Sequence, residues 1–431
     1  MCSSWMMTDR ELELYVHIPF CVRKCAYCDF LSFPSGERER KAYVDALIRE
    51  IESRKDNFTD CRVSTVFLGG GTPSLLDGED TARLFDALYR SFTFVEDPEI
   101  TIEANPGTVT AEKMISWRKS GISRLSIGLQ SVNDEELRML GRIHTYREFL
   151  DTYSLARDAG FGNINIDLIS AIPGQTVKSW EKTLRTVAEL APEHISAYSL
   201  IVEEGTPFYN LYGEEQQKEL FSDGKISSPS VGGFPPLPDE EKDRKIYEQT
   251  AVILNEYGYH RYEISNYAKQ GYECRHNLGY WERKEYLGLG LGAASLIRET
   301  RFHNTADMKK YMDVFSDGTP AENVSGERNT ASAGTGEIQS ENSAGQDDVR
   351  EEFESLSREE QMAEFMILGL RKTAGISAEE FSSLYGTGIK EVYGSQIRRF
   401  EKEGLLTEED GMIRLTPRGI DVSNYVFCEF V

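Results

Sequence analysis

Six short apolar runs, each followed by an amphipathic stretch, constrain the fold of this chain more than any other feature. The runs cover residues 12–18, 63–68, 99–104, 124–129, 164–169 and 195–201. Helical periodicity fills the gaps between them, at 40–54, 79–92, 111–120, 134–140, 146–159 and 177–190. Strands covered on both faces read as near-continuous apolar runs, and repeated strand–helix units place successive strands parallel. The expected fold class is therefore α/β. Six units are too few to close an eight-fold barrel, so an open, partial (βα)6 barrel is expected, with ligands at the C-terminal ends of its strands.

The loop after the first run carries Cys21, Cys25 and Cys28, spaced C-x3-C-x2-C. A [4Fe–4S] cluster with a complete protein shell takes four thiolates. Three on one loop leave one iron open to a ligand that is not protein. A structural zinc ion wants four ligands, usually from paired C-x2-C knuckles, and no second knuckle is present. The spacing therefore favours the cluster. Cys2, Cys61 and Cys428 read as free thiols, since seven cysteines with only three clustered make no disulfide framework.

The 431 residues suffice for one large α/β domain and a smaller one. The formal charge of −24 argues against nonspecific binding to nucleic acid or an anionic membrane, which needs a cationic surface. The N-terminus lacks a basic segment followed by an apolar core, and no stretch is apolar enough to span a bilayer. The expected location is the cytoplasm.

Several polar or small residues fall at the ends of the predicted strands. Gly69-Gly70-Gly71-Thr72-Pro73 follows the second run, and glycines let backbone groups approach a ligand closely. Glu103 ends the third run and Gln130 follows the fourth. Arg142, in Leu-Gly-Arg-Ile-His, suits bidentate pairing with a carboxylate. Asp167 interrupts the otherwise apolar fifth run. Taken singly, each is as readily a surface or ion-pair residue; together they fall on successive strand ends. His17, beside Pro19, reads as a brace for the cysteine loop.

The cysteine spacing, with the glycine turn after the next strand, resembles the radical S-adenosylmethionine (SAM) enzymes. That resemblance implies a [4Fe–4S] cluster on Cys21, Cys25 and Cys28, with SAM chelating the open iron. It implies SAM contacts from Tyr15, Tyr27, Gly70, Gly71, Thr72, Glu103, Gln130, Arg142 and Asp167, with Tyr27 stacking near adenine or guarding the cluster.

Tyr-Val-His-Ile-Pro-Phe-Cys, Gly-Gly-Gly-Thr-Pro, Ser-Ile-Gly-Leu-Gln-Ser and Leu-Gly-Arg-Ile-His together resemble the oxygen-independent coproporphyrinogen III oxidase-like (HemN-like) family. The authentic oxidase carries a further cysteine two residues after the third, where this chain has Phe30, and a longer N-terminal extension. Both departures match the family's haem-chaperone branch, HemW, as does His276-Asn277-Leu278-Gly279-Tyr280-Trp281. The resemblance implies haem as cargo, handed to apoproteins such as respiratory membrane enzymes, with the cluster and SAM serving structure, dimerisation or gating. His276 is the candidate axial ligand, Cys274 a thiolate alternative, and Tyr280 and Trp281 the stacking partners. On the residues alone, a satisfied histidine in an aromatic core is the preferred reading. The competing function is oxidative decarboxylation of coproporphyrinogen III through a 5′-deoxyadenosyl radical.

The expected organisation is a partial barrel over residues 1–222 and a HemN-like extension over 223–320. A disordered insertion is expected over 321–350, where large apolar residues are few, and a winged-helix-like domain over 351–431. Within these, 223–238 reads as a loop, 239–257 and 352–370 as helices, and 378–385, 394–403 and 405–415 as two helices and a hairpin.

Overall fold

The computed structural model describes residues 10–213, 235–315 and 349–431. Most of the expected loop at 223–238, and nearly all of the expected insertion at 321–350, lie outside the described residues. Six parallel strands form the centre: β1 (Arg10–Ile18), β2 (Cys61–Gly70), β3 (Phe94–Ala104), β4 (Arg124–Gln130), β5 (Ile164–Ser170) and β6 (His194–Ser199). Consecutive strands are neighbours, each paired parallel with the next. Helices cross between them: α1 (Glu37–Arg54), α2 (Gly78–Ser91), α3 (Ala111–Lys119), α4 (Asp134–Met139), α5 (Tyr146–Asp158) and α6 (Val177–Glu189). The sequence sets several of these starts. Asp77 accepts the Asp80 amide ahead of α2, and Thr145 and Glu148 cap α5 reciprocally.

The sheet does not stop at β6. It continues through β8 (Asn266–Ala268) and β7 (His260–Arg261), both antiparallel. On the other side β9 (Tyr286–Leu289) lies parallel to β1. Antiparallel β10 (Ala294–Ile297), β11 (Thr300–Asn304) and β12 (Arg350–Ser355) follow it outward. The result is one open twelve-stranded sheet with β12 and β7 at its edges. The extension is thus built onto both flanks of the barrel sheet. A buried carboxylate fastens one flank: Glu50 of α1 accepts from the Gly290 amide (2.7 Å), Asn304 Nδ2 (2.7 Å) and the Tyr311 hydroxyl (2.6 Å).

Residues 350–355 correct one expectation. The helix expected over 352–370 begins only at Arg358, and what precedes it is edge strand β12. Its Arg-Glu-Glu-Phe-Glu-Ser sequence has no buried face to impose strand periodicity, so nothing local marked it as a strand.

The chain ends in a smaller unit. The three-stranded sheet β13 (Ile376–Ser377), β15 (Met412–Leu415), β14 (Leu406–Glu409) packs with the helices Arg358–Gly369, Ala378–Tyr385 and Ile389–Lys402. The last of these starts earlier than the expected 394 because Glu391 caps the Gly388 amide. Its core is separate from that of the barrel and includes Met366, Phe381, Ile397, Phe400 and Ile413. Arg283 joins the two, with Nε 3.0 Å from Glu364.

Candidate functional site

The C-terminal ends of β2 to β5 open into a cavity of about 470 Å³. Cys21, Cys25 and Cys28 line it, with Tyr27, Gly70, Gly71, Thr72, Glu103, Gln130, Arg142 and Asp167. Residues spread over nearly 150 positions of sequence meet there because each ends a strand or opens the loop beyond it.

The cysteine loop is held from both ends. Cys21 N donates to Phe33 O at 3.1 Å, and Ala26 N donates to Leu140 O at 3.1 Å. His17 Nε2 bonds Leu31 O at 2.9 Å, and its Nδ1 bonds the Tyr15 hydroxyl at 3.0 Å. Gly70 sits directly on that histidine. Its φ is +107°, and a Cβ there would lie 2.3 Å from the His17 ring, so only glycine fits. His17 therefore ties the glycine turn to the cysteine loop.

The three cysteines are free and half-buried. Among the described residues no three His, Cys, Asp or Glu side chains converge on a single-ion site. Three thiols are one short of the four ligands a structural zinc ion wants, whereas a cubane held by three thiolates keeps one iron open. Around them the sulfurs meet donors: Thr72 Oγ1 lies 3.4 Å from Cys21 Sγ, and Arg142 Nη1 3.7 Å from Cys25 Sγ. Such hydrogen bonds to ligating sulfur are part of how a protein tunes a cluster. This donor set fits a cluster held by three thiolates.

Asn105, which the sequence reading passed over, joins the walls. It donates to Thr72 Oγ1 at 2.8 Å and accepts from Arg142 Nη2 at 2.5 Å. Arg142 Nη2 also donates to Gly128 O at 2.7 Å. The signal for Asn105 was its place two residues beyond Glu103, on the same strand end. Gln130 holds a left-handed φ of +74° just past a register shift in β4, which turns it into the cavity wall. For a residue with a Cβ this is strained backbone.

The carboxylates are the site's electrostatic feature. Burial, with Asp167 beside it, raises Glu103 to about 8, although the Gly70 amide donates to it at 3.1 Å. Burial likewise raises Asp167, against the donors Ser126 (3.0 Å) and Asn165 (2.7 Å). Two carboxyls that resist ionisation until a cation arrives suit a cationic ligand.

Four of the expected residues lie outside the cavity lining. Tyr15 is not in the cavity wall; its hydroxyl is committed to His17 behind the glycine turn. His276, Tyr280 and Trp281 do not line the cavity either. His276 begins the helix Arg275–Trp281 and is 1 % exposed. Its Nδ1 bonds Thr65 Oγ1 at 2.6 Å and its Nε2 bonds the Tyr280 hydroxyl at 3.1 Å, while its ring stacks on Phe67. Burial and the charge of Arg124 push it down to about 3, so it is neutral. An axial ligand needs a free nitrogen facing open space, and this imidazole has none. Cys274 is equally enclosed, its thiol raised to about 12 by burial. Trp281 lies under the Arg371 guanidinium, 4.3 Å from its ring centre. The satisfied core histidine preferred on the residues alone is what the structure contains.

The chain is 34 % identical to the "Heme chaperone HemW" of Bacillus subtilis (strain 168) over 419 residues, covering 97 % of this chain and 98 % of that protein. It belongs to the HemW family. The HemW of Lactococcus lactis is 32 % identical over 99 % of this chain and 98 % of its own. The Radical SAM superfamily profile matches residues 15–187, which contain the three cysteines, Glu103, Gln130, Arg142 and Asp167, and the HemN C-terminal domain profile matches 356–422. Among solved structures, coproporphyrinogen III oxidase (HemN) from Escherichia coli superposes with a TM-score of 0.75 at 24 % identity, covering 98 % of this chain and 91 % of that one. That likeness establishes a shared fold. Among the described residues no helix is long and apolar enough to cross a membrane.

Proposed function

We propose that this protein is a haem chaperone of the cytoplasm. It carries a [4Fe–4S] cluster on Cys21, Cys25 and Cys28, binds SAM beside it, and delivers haem to apoproteins such as respiratory membrane enzymes. The observation that carries this reading is the combination of near full-length similarity to heme chaperones with Phe30 at the position where the authentic oxidase has a further cysteine. When bound, the cluster supplies an open iron for SAM and a single-electron donor. The chain's own part is electrostatic and positional. Arg142 braces Cys25 and reaches Gly128 O, while Glu103 and Asp167 present carboxyls to a cation. A homodimer is an assembly that this reading allows, with the cluster serving dimerisation.

A second reading is favoured by the completeness of the cavity, which keeps Glu103, Gln130, Arg142 and Asp167 on its walls. In it the protein is a radical SAM enzyme that decarboxylates coproporphyrinogen III. One experiment separates the two. Haem-loaded protein is mixed with membranes containing a haem-free respiratory oxidase, and the oxidase spectrum is followed. Transfer of haem supports the chaperone. No transfer, with carbon dioxide released from coproporphyrinogen III in a parallel assay, overturns it.

A further inference from the structure

The mouth of the cavity carries a feature that the SAM site does not need. Val22, Phe30, Ile143, Tyr198 and Ile201 all line the cavity, yet each is exposed, from 41 % at Tyr198 to 67 % at Ile201. They come from three separate segments: the cysteine loop, the loop after α4, and the end of β6 with the residues beyond it. Exposed apolar side chains scattered singly need no explanation, but a ring of them round one opening marks a binding surface. SAM is a small, polar, charged ligand served by the carboxyls and Arg142 further in, so it does not account for an apolar collar.

The charges at the same rim narrow the occupant. The exposed ionisable groups lining the cavity are Arg23, Lys24, Asp29 and Glu203, two cations and two anions. The chain as a whole carries −24. The rim is thus a neutral island on an acidic surface, with both cations adjacent on the cysteine loop. Lys24 makes no ion pair among the described residues, and Arg23 donates only to Gly141 O at 2.7 Å. An occupant with a broad flat apolar face and a carboxylate edge matches both features: the face covers the collar, and the edge meets Arg23 and Lys24. Phe30 and Tyr198 supply rings for offset stacking.

We propose that the haem cargo docks on this collar, over the cluster cavity, with its propionates toward Arg23 and Lys24 and not at His276. This rests on the chaperone reading above and assigns that cargo a place. Haem would then close the cavity mouth, so cargo and cofactor would share one opening.

The test is an anaerobic haem titration of the full-length, cluster-reconstituted protein, followed at the Soret band. The variants are Ile143→Asp with Ile201→Asp, Lys24→Glu, and Val252→Asp as a control on the exposed face of the helix Glu240–Glu256, away from the cavity. The double variant is expected to weaken haem at least tenfold and Lys24→Glu severalfold, while Val252→Asp matches the parent. Iron and sulfide content confirms that each variant holds its cluster; if the double variant does not, Ile201→Asp alone carries the test, since Ile143 adjoins Arg142, which donates to Cys25, and Ile201 does not. Parental affinity in the collar variants overturns the proposal while leaving the chaperone reading intact. Unchanged haem affinity with a changed oligomeric state overturns it in favour of a second copy of the chain on the collar. Absence of saturable binding in the parent removes the chaperone reading itself and the proposal with it.

Discussion

His276→Ala separates a packed core residue from a haem ligand. The imidazole is 1 % exposed, bonded at both nitrogens and stacked on Phe67 with ring centres 5.3 Å apart. Removing it leaves a void lined by aromatic carbon, at about 2 kcal/mol for a group of this size. It also strands the Thr65 and Tyr280 hydroxyls, at about 1 kcal/mol or more each. Relief of the ring's own desolvation returns part of this, so the expected loss is about 3 kcal/mol. The assay is urea denaturation of the variant beside the parent, with a haem titration of each under native conditions. The midpoint should fall by the equivalent of that loss, while haem affinity of the folded protein stays within about twofold. An unchanged midpoint with haem binding abolished would refute the reasoning, because it would mean that the ring contributes to cargo and not to packing.

Other consequences follow from the cavity. Glu103, raised to about 8, contributes stability that is complete below the usual glutamate range near 4.5 and is lost as pH rises through about 8. SAM binding favours the carboxylate, so its affinity should rise with pH by up to about tenfold per unit below 8, and Glu103→Gln should flatten that slope in calorimetric titrations. Gly70→Ala drives a Cβ into the His17 ring at positive φ and should destabilise the turn by about 2 kcal/mol or more, lowering cluster occupancy measured as iron and sulfide. Cys25→Ser should prevent cluster assembly; full iron and sulfide in that variant would refute the cluster assignment.

The barrel was legible because parallel strands covered on both faces cannot hide their apolar character. β4 is buried along its whole length, and its run was visible at once. The site was legible for the same reason in reverse: Glu103 and Asp167 are polar interruptions of such strands. The flanks were not. β7 has two residues and β8 three, too short for a period, and β9 pairs with β1 across some 270 positions that no local pattern links. His276 shows the limit of a motif. Its signature was plain, but its partners Thr65, Phe67 and Glu13 come from distant strands, so its enclosure emerged only from the fold. Glu13 is buried beside it, 3.8 Å from His276 Nδ1. Its carboxyl oxygens find no hydrogen-bond partner among the described residues, and burial raises it to about 9. The collar was equally silent, since its members come from three segments distant in sequence and only their convergence carries meaning.

The central claim is that haem is this protein's cargo, and the most direct measurement is the anaerobic haem titration of the cluster-reconstituted parent at the Soret band. A saturable shift with near-stoichiometric end point is the predicted result. No saturable shift, together with conversion of coproporphyrinogen III in the presence of SAM and a reductant, would contradict it.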